Sequence, residues 1–414
     1  MPMNHDHTVR SAPLWRNRDY LLLMTGQGIS ILGTSMSQIA YPLLALALTG
    51  SPAQAGIVGA LNVLPFLLFS LPAGALMDRW NRKWVMLFCE IARALCFLSI
   101  PLALALGRLT MTQLFITAAV QGSFAVFFEI AFVASIPRLV PKEHLPTALA
   151  ASNSVITTLS VSGPQLGGIL FQLGRGLPFF ADALSYLVSG GLLLLIRTPL
   201  QAERSLRQHT LRHELFEGVH WLWQHSLVRF LTFYGGIYFF VVFSGGQLIV
   251  ILFAQRQFHA SAILIGLVFT IAELGRIPGT LLVPHVGKHL RIGTVVILAG
   301  WLTAFLTLLL LAAPTVWVLG MVVAAEYLIA AIYDAVVFGY ELGLIPDALQ
   351  GRVNSVMLLI LFGIQSLGVA GTGALLQWIG ITPTIAVFAA LMVLFVIMAM
   401  LNRHVRHTSS VSPD

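Results

Sequence analysis

Apolar runs about 20 residues long recur along almost the whole chain, each long enough as a helix to cross a hydrocarbon core roughly 30 Å thick. The short, alternating strand pattern of an outer-membrane barrel is absent. The chain therefore reads as an all-α, polytopic membrane protein. Composition agrees, since 57% of its 414 residues are hydrophobic and only 9% are charged. So few charges could not cover the surface of a soluble protein of this length.

The runs lie near residues 20–48, 55–77, 84–106, 112–138, 147–172, 179–197, 227–254, 262–284, 293–312, 316–345, 352–378 and 383–402. Loops between them are short except for one polar segment, which divides the twelve runs into six and six. The organisation expected is an N-terminal tail (1–19), a six-helix half (20–197), a linker with a short amphipathic helix (198–226), a second half (227–402) and a tail (403–414). The net charge of +7 would point to nucleic acid in a soluble domain. Here the basic residues fall in alternate loops: Arg10, Arg16 and Arg18, then Arg79, Arg82 and Lys83, then Arg138 and Lys142. Arg204, Arg207, Arg212, Lys288, Arg291, Arg352, Arg403 and Arg406 continue the series, against only Arg108, Arg175 and Arg256 on the other side. The positive-inside bias places both termini and the linker in the cytoplasm of a cell (inner) membrane protein, and no nucleic-acid role is expected.

Smaller signals agree with this picture. Cys89 and Cys96 are seven residues apart on one run, roughly 10 Å along a helix axis, which suits packing thiols rather than a disulfide. The polar N-terminal tail is followed by no cleavage pattern, so the first helix is expected to be retained. No Asn-x-Ser/Thr sequon occurs, as fits a prokaryotic source.

Between the second and third runs stands Gly74-Ala-Leu-Met-Asp-Arg-Trp-Asn-Arg-Lys83, with Asp78 four and five positions before Arg82 and Lys83. Positive-inside anchoring accounts for the three cations of this loop but gives no reason for Asp78 and Gly74. A cluster of carboxylate and guanidinium hydrogen bonds that closes the cytoplasmic side accounts for all of them. The two halves also look related. Glu129 stands twelve residues before Pro141 and Asp334 twelve before Pro346, and each proline precedes an Asn-Ser pair, Asn153-Ser154 and Asn354-Ser355. Related halves suit an alternating-access carrier, in which one half rocks against the other around a central site.

These residues resemble the major facilitator superfamily over nearly the whole chain. Gly74, Asp78, Arg79, Arg82 and Lys83 match its loop 2–3 signature, while Lys288 stands where the second-half copy would carry an acid. Leu14-Trp-Arg-Asn-Arg-Asp-Tyr20, Ile136-Pro-Arg-Leu-Val-Pro141, Asp182-Ala-Leu-Ser-Tyr186 and the stretch from Glu217 to His225 are similar to a bacterial drug and siderophore exporter branch. That branch includes the enterobactin exporter and macrolide efflux proteins. Gly163, Pro164, Gly167 and Gly168 resemble the core of the helix-5 signature of drug/proton antiporters, although Leu159 replaces its upstream glycine. The resemblance implies two pseudo-two-fold-related six-helix halves, a cytoplasmic gate at Asp78 and a monomeric carrier.

Ionisable groups within membrane helices cost about 2.5–3.5 kcal/mol each at the bilayer centre and usually face a partner or a cavity. Glu273 and Arg276 share a helix face, where they serve either as a coupling pair that opens or as a static packing pair. Glu129, Glu326 and Asp334, with Tyr333 beside the last, are candidates for proton coupling or for binding a cationic group; helix–helix hydrogen bonding is the rival reading. A carboxyl in an apolar cavity holds its proton more readily than one in water. Glu90 and Arg93, within two turns of the loop signature, are read as support for the gate, and Asp182 with Arg175 as an interfacial pair. The Gly163–Gly168 segment suits a bent helix that packs closely, either to flex or simply to fit. Phe127, Phe128, Tyr238, Phe239 and Phe240 are candidate pocket aromatics, and His209, His213, His220 and His225 read as solvated residues. No Walker A loop, metal motif or Ser-His-Asp arrangement appears, so neither an enzyme nor a cofactor is expected. The function read from the sequence is a secondary-active exporter of a small amphipathic compound, coupled to protons. An importer or lysolipid flippase of the same fold, and a non-transporting scaffold or sensor, stand as alternatives.

Overall fold

A computed structural model describes residues 14–77, 79–201, 211–347 and 349–406. The first half comprises α1 (Arg18–Thr49), α2 (Pro52–Met77), α3 (Arg82–Ala105), α4 (Met111–Leu139), α5 (Leu145–Leu173) and α6 (Leu177–Leu195). A linker helix, α7 (Leu211–Gln224), leads into the second half. There α8 (Ser226–Phe239) and α9 (Gly245–Phe258) join through a π-helical turn, Phe240–Ser244, into one span. The rest are α10 (Ala262–His289), α11 (Ile292–Leu309), α12 (Val316–Leu344), α13 (Gln350–Trp378) and α14 (Ile381–Leu401). The chain thus makes twelve passes, and its described ends lie on one face. No strand occurs among the described residues.

Local chemistry sets the helix ends. Asn17, Asn81, Thr110, Ser261 and Thr315 each accept a backbone N–H of the first helical turn, which satisfies donors that lipid could not. Eleven spans among the described residues are long and apolar enough to cross a membrane on their own account. α5 is as long as α4 but more polar, because one of its faces exposes Thr147, Ser154, Thr157 and Thr158. A polar face on a membrane helix belongs to water or to a partner rather than to lipid.

Within the first half α1 packs on α5 and α6, α2 on α4, and α3 on α4 and α6; in the second, α10 packs on α12 and α11 on α14. The halves meet along two helix pairs, α2 with α13 and α5 with α10. Both seams are built on glycine. A Cβ on Gly373 would sit 2.6 Å from the Pro52 carbonyl oxygen, and one on Gly56 would sit 2.8 Å from Gly373 Cα. A Cβ on Gly168 would come within 2.3 Å of Ala262 O, and one on Gly266 within 2.4 Å of Pro164 O. With no side chains between them, backbones touch directly and gain dispersion contact that lipid cannot replace.

Among the described residues, three hydrogen bonds cross these seams: Ser51 Oγ to Gln377 Oε1 (3.0 Å), Ser366 Oγ to Ala60 O (3.2 Å) and Thr270 Oγ1 to Val161 O (3.1 Å). The last reaches a carbonyl three residues before Pro164, where the proline loosens the helical ladder. All these contacts lie in the half of the molecule remote from the termini. Phe66 on Phe362, just past the middle of α2, extends the first seam towards the terminus-bearing face. The contacts among the described residues that zip the halves together gather on the face remote from the termini.

A bulky residue in a seam will force it open. Gly373→Leu is expected to destabilise this closed arrangement by about 1–3 kcal/mol, the usual cost of overpacking. Maleimide labelling of Gln54→Cys, at the far end of α2, is expected to become several-fold faster. An unchanged melting temperature with unchanged labelling would contradict the seam.

Candidate functional site

A cavity of about 500 Å³ lies between the halves. Both halves line it, the first through Gln38, Asn62 and Arg93 among others, the second through Gln247, Glu273 and Arg276. A second space of about 270 Å³ adjoins it in the first half, sharing Arg93 and adding Gln27, Phe128 and Glu129. Volumes and linings of this kind suit a drug-sized molecule with an apolar body and a few polar groups. The aromatics differ in part from those expected. Phe128 does line the smaller space, but Tyr238 and Phe240 are buried in the second-half core and Phe127 packs against Phe69. The large cavity instead shows Phe66, Phe97, Phe243 and Tyr327. The π-helical turn accounts for one of these: its extra residue turns Phe243 and Ser244 inward, and Phe243 then packs 4.7 Å from Tyr327 and 5.4 Å below the Arg276 guanidinium.

The first half holds a buried polar network that the sequence divided among other places. Glu90 and Arg93, expected to support the gate, face into this network, and Asp182 is no interfacial partner of Arg175. Asp182 is 0% exposed, whereas Arg175 lies on the surface. The Asp182 carboxylate accepts from Ser37 (2.5 Å), Ser185 (3.3 Å) and Tyr186 (3.2 Å). Tyr186 in turn accepts from Arg93 Nη2 (2.8 Å) and Gln121 Nε2 (2.9 Å), so its single proton is left for Asp182. Arg93 also donates from Nε to Gln121 and from Nη2 to Thr34, and it lies 4.0 Å from the Tyr186 ring centroid. Glu90, 3.7 Å from Arg93 Nη1, accepts from Ser189. One guanidinium therefore ties α1, α3, α4 and α6 together beneath the cavity wall. The sequence concealed this because α3 and α6 bring together residues some ninety positions apart.

In the second half the candidates separate. Glu273 and Arg276 pair at 3.8 Å, partly exposed, on the cavity wall. Asp334, half-buried on α12, also feels the Arg276 charge. Glu326 is turned away from the cavity: it is buried and accepts from Thr307 on α11 at 3.0 Å. Tyr333 is buried as well, stacked 4.3 Å from Tyr238, with no hydrogen-bond partner for its hydroxyl. Glu341, which drew no notice in the sequence, is a further buried acid and accepts from Thr232 at 3.4 Å. Leu139 closes α4 ten residues after Glu129, and Leu344 closes α12 ten residues after Asp334, so the two acids do sit at matching depths. Glu129 itself is exposed to the smaller space.

Asp78 lies outside the described residues, as does His209. Of its expected partners, Arg82 donates to Ala134 O (2.6 Å) and Leu200 O (3.3 Å), and Lys83 Nζ donates to Leu194 O (3.0 Å) and Ile196 O (2.7 Å). These acceptors are carbonyls near the ends of α4 and α6, where cations complete the helix termini. Arg79 is exposed, and a Cβ on Gly74 would meet nothing within 4 Å. Asn17 bonding Leu139 O and Tyr20 bonding Ala148 O add to this fastening. The terminus-bearing face of the first half is thus tied to itself. In the helix-5 motif, Gly163 and Gly167 press on Ser35 and Met36 of α1, while Gly168 and the Pro164 carbonyl meet α10. α5 is consequently the plate between α1 and the second half. Cys89 and Cys96 are free thiols, and no cluster of metal-ligating side chains occurs among the described residues.

Removing one member of a buried charge network costs far more than removing a solvated charge. Asp182→Ala is expected to cost about 3–5 kcal/mol, against under about 1 kcal/mol for Asp334→Ala on the half-buried face. Thermal unfolding in detergent should rank them in that order. Equal melting temperatures would contradict the network.

Comparison with known proteins agrees with this architecture. The profile of the Major Facilitator Superfamily matches residues 23–368. The MFS-type transporter YfiS of Bacillus subtilis, itself uncharacterized, is 25% identical, with 95% of each chain covered. The enterobactin exporter EntS of Citrobacter koseri is 25% identical over 79% of this chain and 77% of its own. A bacterial homologue of the iron transporter ferroportin superimposes with a TM-score of 0.72 in its inward-facing state, at 18% identity, covering 94% of this chain and 99% of the homologue. Its outward-facing state gives 0.62, again at 18% identity, with 92% and 98% covered. Six and six helices around a shared cavity, glycine seams on one face and this profile match together place the chain in the Major Facilitator Superfamily, as a multi-pass membrane transporter.

Proposed function

We propose that this protein is a secondary-active exporter that carries a small amphipathic compound out of the cytoplasm by alternating access, in exchange for protons. The observation that carries the reading is the cavity itself: it lies between two separately fastened halves, zipped together on the face remote from the termini, and we read the opposite face as the parted one. A scaffold or sensor needs no such space. The alternation of basic loops makes the parted face cytoplasmic, so the arrangement is inward-open in a cell membrane, and the higher TM-score against the inward-facing ferroportin homologue supports that. Export is favoured over import by the likeness to the enterobactin exporter. Closing of the cytoplasmic side, when the halves rock together, is assigned in this reading to Asp78 in the loop from Gly74 to Lys83.

The lining describes the cargo in chemical terms. Aromatic faces from Phe66, Phe97, Phe243 and Tyr327 receive an apolar body, and Gln38, Asn62, Gln121, Gln247 and Gln365 supply adaptable donors and acceptors. The Glu273–Arg276 pair offers the cargo one carboxylate and one cation. The carrier works as a monomer, since each chain holds a complete cavity.

The test is accumulation of a panel of amphipathic compounds in a host stripped of its own pumps, then transport in proteoliposomes. An imposed pH gradient is expected to drive uphill movement of the compound identified, and Glu273→Gln to slow it at least tenfold. Transport indifferent to the gradient would reject antiport; no reduced accumulation of any compound would reject export.

A further inference from the structure

We propose that Glu90, inside the first half and away from the gate, carries the coupling proton. The proposal rests on the antiport reading given above. It stands on one unpartnered atom. Glu90 is 0% exposed; its Oε1 accepts from Ser189 at 2.7 Å, but its Oε2 is buried with no hydrogen-bond donor. Arg93 Nη1, the nearest cation, stays 3.7 Å away, well beyond the roughly 2.7–2.9 Å of a charge-assisted hydrogen bond. An ionised carboxylate left so short of donors in a buried site would be strongly penalised. A protonated one is neutral.

Charge balance leads to the same atom. The network holds two fully buried acids, Glu90 and Asp182, and one guanidinium. Asp182 accepts from the Ser37 and Tyr186 hydroxyls, with Ser185 sharing its proton between the Asp182 carbonyl (2.7 Å) and carboxylate (3.3 Å), and through Tyr186 it receives the polarising effect of Arg93, so it is furnished as the anion. One guanidinium thus faces two acids: Arg93 lies 3.7 Å from Glu90 and reaches Asp182 only through Tyr186. One acid is therefore left to hold a proton, and Glu90, with the fewer donors, is that acid. The groups facing it change nothing in this count. They are Cys89 and Arg93 on its own helix, Asp182, Tyr186 and Ser189 on α6, Ser30 on α1, and Glu129 on α4, which acts on Arg93 from the cavity side.

Arg93, unlike Glu90 and Asp182, lines both cavities. When Glu90 releases its proton, a new anion beside Arg93 draws the guanidinium towards α3 and lowers the charge seen from the cavity by one. A positively charged group in the cavity and a proton on Glu90 therefore oppose each other, which is the mutual exclusion that antiport requires. The same movement reaches the seam. Arg93 holds Thr34 on α1, the next residue, Ser35, lies beneath Gly163 of α5, and five residues further on Gly168 meets α10. Protonation is thereby linked to the contact between the halves through packed neighbours.

Two substrate-free measurements test this on the purified full chain. Infrared difference spectra should show a protonated carboxylic acid carbonyl band near neutral pH, shifted by deuterium exchange. One component of that band should be lost in Glu90→Gln and kept in Asp182→Asn, while buried Glu326 and Glu341 contribute components that neither change removes. A band identical in Glu90→Gln and the parent protein, or none in the parent protein, overturns the proposal. Spin labels at Ser154→Cys on α5 and Leu281→Cys on α10 should report a distance distribution that changes between acid and alkaline pH, and Glu90→Gln should abolish the change. If Glu90→Gln still responds as the parent does, Glu90 is overturned while proton coupling stands. If the parent does not respond, both fall.

Discussion

Backbone contact between the two halves, through glycines on one face only, is what every other feature of this molecule depends on. Gly56 with Gly373 and Gly168 with Gly266 bring helices close enough for main chain to touch main chain. In lipid, where burying apolar side chains brings little gain, such contact and a few hydrogen bonds are what hold helices together. The seams are short, and side chains such as Ser51, Ser366 and Thr270 contribute one hydrogen bond each. An interface of that kind seals a cavity yet can come apart without unfolding either half. The opposite face shows the reverse economy. There Arg82, Lys83, Asn17 and Tyr20 spend their donors on helix-end carbonyls of their own half, which stiffens it as a unit.

Placement of the ionisable groups follows from the same solvent. A charge in the hydrocarbon region needs a countercharge or water, and this chain uses both. Arg276 and Glu273 pair while facing the cavity, and Glu129 is exposed to its smaller neighbour. Arg93 and Asp182 are joined through Tyr186 out of reach of lipid. Glu326 and Glu341 take single hydroxyl donors, Thr307 and Thr232, in the second-half core. These arrangements divide the acids into those that meet the cavity and those that set helix packing.

How far the sequence could be read depended on the range of the interaction. Eleven of the twelve helices carry the apolar length that lipid demands of a span. The α5 run was counted with them, and its polar face leaves it less apolar than the rest. Matching depths of Glu129 and Asp334 were legible because both are measured from a proline along one helix. The network around Arg93 was not, since Glu90, Gln121 and Asp182 converge only after α3, α4 and α6 pack. Proximity to the loop signature could be read along α3, whereas the inward direction of Glu90 and Arg93 is set by how α3 is rotated against its neighbours. Of the two readings of Glu326, coupling or helix–helix hydrogen bonding, the bond from Thr307 on α11 is of the second kind: depth along α12 is written in the sequence, but the direction the acid faces is not.

The account rests on the glycine seams opening once in every transport cycle, and Ser51 and Gln377 offer the means to hold them shut. Their side chains already meet across the α2–α13 seam at 3.0 Å. With Ser51→Cys and Gln377→Cys introduced together, oxidation is expected to stop export of the identified compound and reduction to restore it. Export continuing at the parent rate from fully cross-linked protein would contradict the account.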